Sequence, residues 1–449
     1  MKGKYESPGR KIGILWLLAI LAVALAFAGM LRLGPQKKTP EETMPTFTPP
    51  AETTQAAQVL TETTEDPDAV IARATVAVQG DLLMHATFFQ KKYNPVCRIG
   101  EGEYDFSSLF RYVSDYIKAA DYAAVNLETT LGGDGFPYQG NPTFNCPDAI
   151  LEAAGDAGYD LLLTANNHSY DTLMTGINRT LEASREAGFD TLGTRLSREE
   201  DRFLIKDICG IRIGMACYTY TMTMSGGKPR LNDNAPVEMP EQINYFSYSN
   251  LEKFYTEAEE LLEAMKEQGA ENTILFIHWG TEYETAENKT QRQMAQKLCD
   301  LGCDVIVGGH PHVVQPVELL ESGVDPDHKT VCIYSLGNAV SNQRRELMRL
   351  KTGHTEDGAL FTVTFEKKAD GSVAVADCDV LPTWVHLYEN GDGKKEYNIL
   401  PIDLKEKAGW KEDFGISDAV CGELEASYSR TMEIVGEGLE QCRGYLAGK

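Results

Sequence analysis

Basic charge is scarce in this chain: 42 Lys and Arg stand against 67 Asp and Glu, a net charge of −25. Neutralising nucleic-acid phosphates takes a basic surface, so a nucleic-acid partner is excluded. Metal-spaced cysteine pairs are missing too. The ten cysteines are dispersed with no Cys-x-x-Cys, which argues against a cysteine-rich zinc site and a dense disulfide framework. Cys299 and Cys303 lie one turn apart on a helix end, where a bridge forms only with distortion. Most thiols read as small core residues, and no disulfide partner can be assigned. No repeat period is visible.

With 449 residues, 42% of them hydrophobic, the chain can bury a full core. Length alone suits about two domains, or one large α/β domain with appendages. Residues 1–11 are basic, with Lys2, Lys4, Arg10 and Lys11 ahead of an uncharged run of 20 residues, Ile12–Leu31. That run matches the ~30 Å hydrocarbon core of a bilayer. The flanking charge favours a cytoplasmic N-terminus, so 12–31 is expected to be a single-pass transmembrane signal anchor in the cell membrane, with the folded part extracytoplasmic. A signal peptide cut after Ala28, at Ala26-Phe27-Ala28, is the alternative. Residues 32–69 are rich in Pro, Thr and Glu and read as a disordered linker.

Beyond the linker, short apolar runs alternate with helical stretches. Strands are expected at 74–79, 123–126, 161–165, 211–218, 274–277, 305–307 and 332–335, then a late pair at 360–365 and 373–380. Helices are expected near 107–119, 147–157, 173–187, 249–268 and 288–301. This alternation implies an α/β domain, 70–390, with a mainly parallel sheet. The late pair suggests a second, mixed sheet. Residues 391–449 read as a C-terminal appendage, helical over roughly 415–445.

Polar residues gather where these apolar runs end. Asp81 follows Gly80 after the first run, Asn126 and Glu128 follow the second, and Asn166-Asn167-His168 follows Leu161-Leu162-Leu163. His278 ends another run, with Trp279 placed to cover it, and His310 and His312 follow Gly309. Strand ends of an α/β sheet converge on one edge, and carboxylates, amides and imidazoles collected there suit paired divalent cations. Alternate residues of an extended segment share a face, so His310 and His312 are expected to point at one cluster. Each segment alone also fits a blander role: a helix cap for Asp81, a solvated loop for Glu128, a hydrogen-bonded turn at 166–168, a core histidine at 278. Four of the eight histidines at such ends make a common site the better reading. The polar stretch from Gly226 to Asn244 either shapes a substrate cleft or is a surface loop.

Gly80-Asp81, Asn126-Leu127-Glu128, Phe144-Asn145-Cys146-Pro147, Ala165-Asn166-Asn167-His168, His278-Trp279-Gly280, Gly309-His310-Pro311-His312 and Tyr334-Ser335-Leu336-Gly337-Asn338 together resemble the CapA family of poly-γ-glutamate capsule biosynthesis proteins, over about 73–385. That family is related to calcineurin-like metallophosphoesterases. The resemblance implies a four-layer α/β/β/α sandwich with a two-metal centre, holding Mn, Fe or Zn. It implies Asn167 as a metal ligand, His278 and His310 on one cation, Asp81 and His312 on the other, Glu128 bridging, and His168 assisting the leaving group. His85, Asn126, Trp279, Glu282 and Asn338 are further candidates. Phosphoesterases usually carry a histidine two residues after the first aspartate; Leu83 stands there, with His85 the nearest histidine, and Glu128 replaces an aspartate. The expected activity is metal-dependent hydrolysis of a phosphoester or of a bond in an anionic surface polymer. The alternative is a non-catalytic scaffold that guides polymer beside the synthase and export subunits.

Overall fold

In a computed structural model, residues 66–232 and 234–448 are described. The expected anchor at 12–31 and the linker up to residue 65 lie outside the described residues. Among the described residues no helix is long and apolar enough to cross a membrane.

Two mixed sheets stack face to face. The first runs in the order Lys395–Pro401, Val373–Glu389, Asp357–Lys368, Val70–Leu82, Tyr122–Asn126, Leu161–Leu163, Asp190–Leu192. Its last four strands are parallel and its first four antiparallel. A short strand, Asn338–Val340, adds to the end of Val70–Leu82. The second sheet has the order Val317–Glu321, Lys329–Ile333, Val305–Gly309, Asn272–His278, Ile211–Thr221, Leu204–Ile208, with parallel strands at its centre.

The buried centres of these strands are continuous apolar runs rather than alternating ones, because both faces of each sheet are covered. Between the sheets pack Val76, Val78, Ile274, Phe276, Val307, Phe361 and Val363. Each contributes roughly 1.5–3 kcal/mol on removal from water. The outer face of the first sheet meets the helix Ala149–Ala157 through Val125, Ile150 and Ala154. The outer face of the second meets Leu251–Glu267 and Lys289–Asp300 through Leu275, Leu261, Met294 and Leu298. The result is a layered α/β sandwich.

Two expectations change. The late pair does not start a second sheet: Asp357–Lys368 runs antiparallel to Val70–Leu82 and extends the first. The second sheet is built from the middle of the chain, a long-range pairing that no local pattern encodes. The C-terminal stretch is also more than an appendage. Lys395–Pro401 is the edge strand of the first sheet. The helix Asp418–Leu446 sends Val435, Leu439, Cys442 and Leu446 into the inter-sheet core. It lies so close to Val317 that a Cβ at Gly438 would meet that residue's carbonyl at 1.7 Å. Thr64–Lys449 is therefore one compact unit. All ten cysteines are free: eight are buried, Cys421 is half-buried and Cys209 is exposed.

Glycine matters most at Gly80, where a Cβ would sit 1.9 Å from the Gly337 carbonyl oxygen. That oxygen accepts the Asp81 backbone N–H at 3.0 Å. Gly80→Ala is expected to cost about 3 kcal/mol through this backbone clash and to lower the melting temperature by roughly 4 °C. A calorimetric melt within 2 °C or so of wild type would disprove the close approach.

Candidate metal centre

Strand register carries the site residues to one edge. Asp81 lies level with Asn126 on one side and Asn338 on the other. In the second sheet His278 lies level with Thr219 and Gly309. Gly309 has no side chain to fill the space between them: a Cβ there would stand 3.3 Å from Asp81 Oδ1 and 3.6 Å from His278 Nδ1.

The strand ends at Gly309, and the next histidines leave β geometry. His310 has φ 98° and His312 φ 57°, left-handed values that cost a side-chain-bearing residue about 1–3 kcal/mol. Both imidazoles do meet at one cluster, but a tight turn brings them there, not the alternation of an extended segment. Such strain persists only where surrounding contacts enforce it. Here the Pro311 carbonyl accepts the Tyr283 N–H at 2.8 Å.

Two groups of potential ligands result, Glu128 with His278 and His310, and Asp81 with Glu128 and His312, the ligand atoms of each within 4.8 Å of one another. Glu128 belongs to both. All five are buried. Asn167 joins the first group, its Oδ1 2.8 Å from His278 Nε2. In the second, His312 Nδ1 lies 3.0 Å from Asp81 Oδ2 and 3.1 Å from Asn338 Oδ1. Asn338 in turn donates to the His312 carbonyl at 3.2 Å. It orients a ligand rather than joining the cluster.

The donor set suits divalent cations of intermediate softness. Two of its atoms, Glu128 Oε1 and His310 Nδ1, are buried without any hydrogen-bond partner. An orphan of this kind costs about 1–3 kcal/mol, so two at one point need a reason. Burial, then the neighbouring Asp81 charge, pushes the Glu128 carboxyl well above its ordinary range. Burial and the surrounding histidines hold His278 and His310 well below theirs. Neutral imidazoles are the ligating form, and a cation would remove the penalty on the carboxylate.

Asn126 bridges the two acids, donating to Asp81 Oδ1 at 2.7 Å and to Glu128 Oε2 at 3.3 Å. Asn166 supports it by donating to Asn126 Oδ1 at 3.0 Å. His85 is in neither group. Its Nδ1 lies 3.0 Å from the Leu83 carbonyl and 3.1 Å from the Asn342 backbone nitrogen, and burial pulls it down to about 4. Glu282 stays exposed at the rim, near enough for its charge to act on Glu128. Trp279 does not cover His278. Successive strand residues face opposite ways, so its indole packs under the outer helices and donates to the Tyr334 carbonyl at 2.9 Å.

His168 sits beside the cluster. Its Nδ1–H donates to Asp171 Oδ2 at 2.7 Å, and its ring meets Phe144 edge-on at 4.6 Å. Asp171 also accepts the Phe144 N–H at 2.6 Å and the Asn234 amide at 2.9 Å. The Gly226–Asn244 stretch thus reaches the site, with Asn232 donating to the Pro142 carbonyl at 3.1 Å. Sequence reading passed over Asp171, Asn234 and Tyr220, whose ring lies 4.8 Å from that of His310. Asp171 had a local signal, a carboxylate three residues after a candidate histidine. Asn234 and Tyr220 had none.

An α/β sandwich with a buried imidazole–carboxylate cluster at its strand ends is thus the class of protein on view. Residues 75–343 match the family described as bacterial capsule synthesis protein PGA_cap. The chain belongs to that family, as its resemblance to CapA proteins implied. It is 28% identical over 317 residues to "PGA biosynthesis protein CapA" of Bacillus subtilis (strain 168), covering 69% of this chain and 74% of that one. It is also 28% identical over 322 residues to "Capsule biosynthesis protein CapA" of Bacillus anthracis, covering 69% and 70%. Among solved structures, Haemophilus influenzae NAD nucleotidase (NadN) aligns with a TM-score of 0.40 and 12% identity, over 80% of this chain and 60% of that one.

Proposed function

We propose that this chain is a membrane-anchored, extracytoplasmic hydrolase of phosphoester-type bonds, dependent on two divalent ions and serving the biosynthesis of an anionic surface polymer such as a poly-γ-glutamate capsule. The observation that carries this reading is the sharing of Glu128, with its unpartnered Oε1, between two groups of ligands. Asn167, His278 and His310 would hold one ion with Glu128, and Asp81 and His312 the other. Ions bound there would polarise phosphoryl oxygens and lower the pKa of water. The protein's own part is to exclude solvent, to hold Asp81 and Glu128 side by side through Asn126, and to place His168. With Nδ1 engaged by Asp171, His168 presents Nε2 to a leaving oxygen and is suited to general acid work. The single-pass anchor rests on the uncharged run 12–31 and its basic flank.

A second reading has support in the relatives' names, which speak of biosynthesis rather than hydrolysis. In it the fold binds and guides polymer beside synthase and export subunits without turnover. Polymer output separates the two. In cells lacking their own copy, a chain carrying Glu128→Gln is expected to lower surface polymer at least tenfold against wild type at equal protein level. Undiminished output would favour the scaffold.

A further inference from the structure

We infer that a second site, built around Arg195 and Arg202, binds an anionic group of the carboxylate or phosphate class. It stands apart from the metal cluster and does not rest on the proposed hydrolysis. In a chain this acidic, four cationic side chains, Arg195, Arg198, Arg202 and Lys253, line one cavity of about 380 Å³ against two carboxylates, Glu241 and Glu257.

Arg195 is the unusual member. Only 6% exposed, its guanidinium is held by acceptors that carry no charge: Asn244 Oδ1 at 2.5 Å and the Glu241 carbonyl. Its Nε–H is buried with no acceptor at all. A buried charge is ordinarily paired, because its desolvation is otherwise uncompensated. Arg202 aggravates the deficit by donating its Nε–H to the same Asn244 oxygen, at 3.3 Å. Burial and the Arg202 charge together pull the Arg195 pKa down. Arg202 does have a countercharge, with Glu257 Oε2 at 3.1 Å, but Glu257 is shared with Lys253 at 3.4 Å. Two guanidinium forks meeting at one amide oxygen are a preformed receptor for a planar carboxylate or a phosphoryl group.

The backbone holds this arrangement rigidly. Asn244 is wholly buried, donates its N–H to the Gly193 carbonyl at 2.8 Å and accepts the Thr219 N–H at 3.0 Å. Thr219 lies level with His278 on the neighbouring strand. The anion site therefore hangs from the strand next to the metal cluster, on the same sheet edge.

The test uses the full chain stripped of metal with EDTA, which silences phosphate uptake by the histidine–carboxylate cluster. Inorganic phosphate and tri-glutamate are titrated in separately by calorimetry. Saturable binding of either supports the site: phosphate points to a phosphoryl ligand, tri-glutamate to a carboxylate one. Arg202→Gln is expected to weaken that binding about tenfold or more, and Arg198→Gln, on the surface, serves as a second variant that cannot compromise the core. Both variants should reload metal like wild type. Lack of saturable binding by either probe, or binding unaltered in both variants, would overturn the inference. Metal content is read independently, so failure here leaves the cluster's role standing, and loss of metal leaves this site standing.

Discussion

Purified with excess Mn²⁺ and passed through a desalting column, the full chain is expected to retain two equivalents of metal, and Glu128→Ala to retain none. Glu128 is the one residue common to both groups of ligands, so its loss strips a negatively charged donor from each ion at once. His310→Ala, by contrast, removes a ligand from the group with His278 only, and should leave about one equivalent bound with Asp81 and His312. Asn338→Ala should weaken the second ion by about 10–100-fold, the usual effect of losing a partner that orients a ligating histidine. Elemental analysis per chain reads all four proteins. A wild-type chain that binds no metal under these conditions would end the hydrolase proposal. A single equivalent would indicate that the apolar Leu83 has left the Asp81 side too weak to fill.

The second large effect concerns His168. Replacing it with alanine is expected to reduce hydrolysis of a phenyl phosphodiester by about 10²–10⁴-fold while metal content stays at wild type. The loss should be much smaller for a p-nitrophenyl diester. A nitrophenolate departs without a proton, whereas a phenolate needs one, so only a general acid produces that difference. Asp171→Asn removes the carboxylate at 2.7 Å that fixes the His168 ring. It should lower the rate less than loss of the ring itself, since a neutral amide still accepts the Nδ1–H but holds the imidazole less firmly. Equal losses on both diesters would assign His168 to substrate placement instead of proton transfer.

Legibility followed the range of the physical cause. Asp81, Glu128, Asn167, His278, His310 and His312 were readable because each follows an apolar run, and strand ends in α/β sheets meet at one edge. Trp279 was misplaced because the segment reads as a motif, while the pleat turns it to the opposite face from His278. His310 and His312 were right as a pair and wrong in mechanism: the backbone at both is left-handed, which sequence spacing does not reveal. The late hairpin was correct as a hairpin but assigned to the wrong sheet, since its partner, Val70–Leu82, lies almost 300 residues away.

What the sequence alone determined was the inventory: an acidic chain, a basic-flanked uncharged run at its start, alternating strands and helices, and carboxylate, amide and imidazole side chains spaced to arrive at strand ends. These are consequences of local pattern, because hydrophobic period and turn chemistry act over a few residues. Tertiary structure alone decided that Glu128 would be shared by two groups of potential ligands, and that Arg195 would be buried against Asn244 with uncharged hydrogen-bond acceptors. Each depends on register between strands and loops far apart in the chain, where a shift of one residue would turn every one of those side chains away.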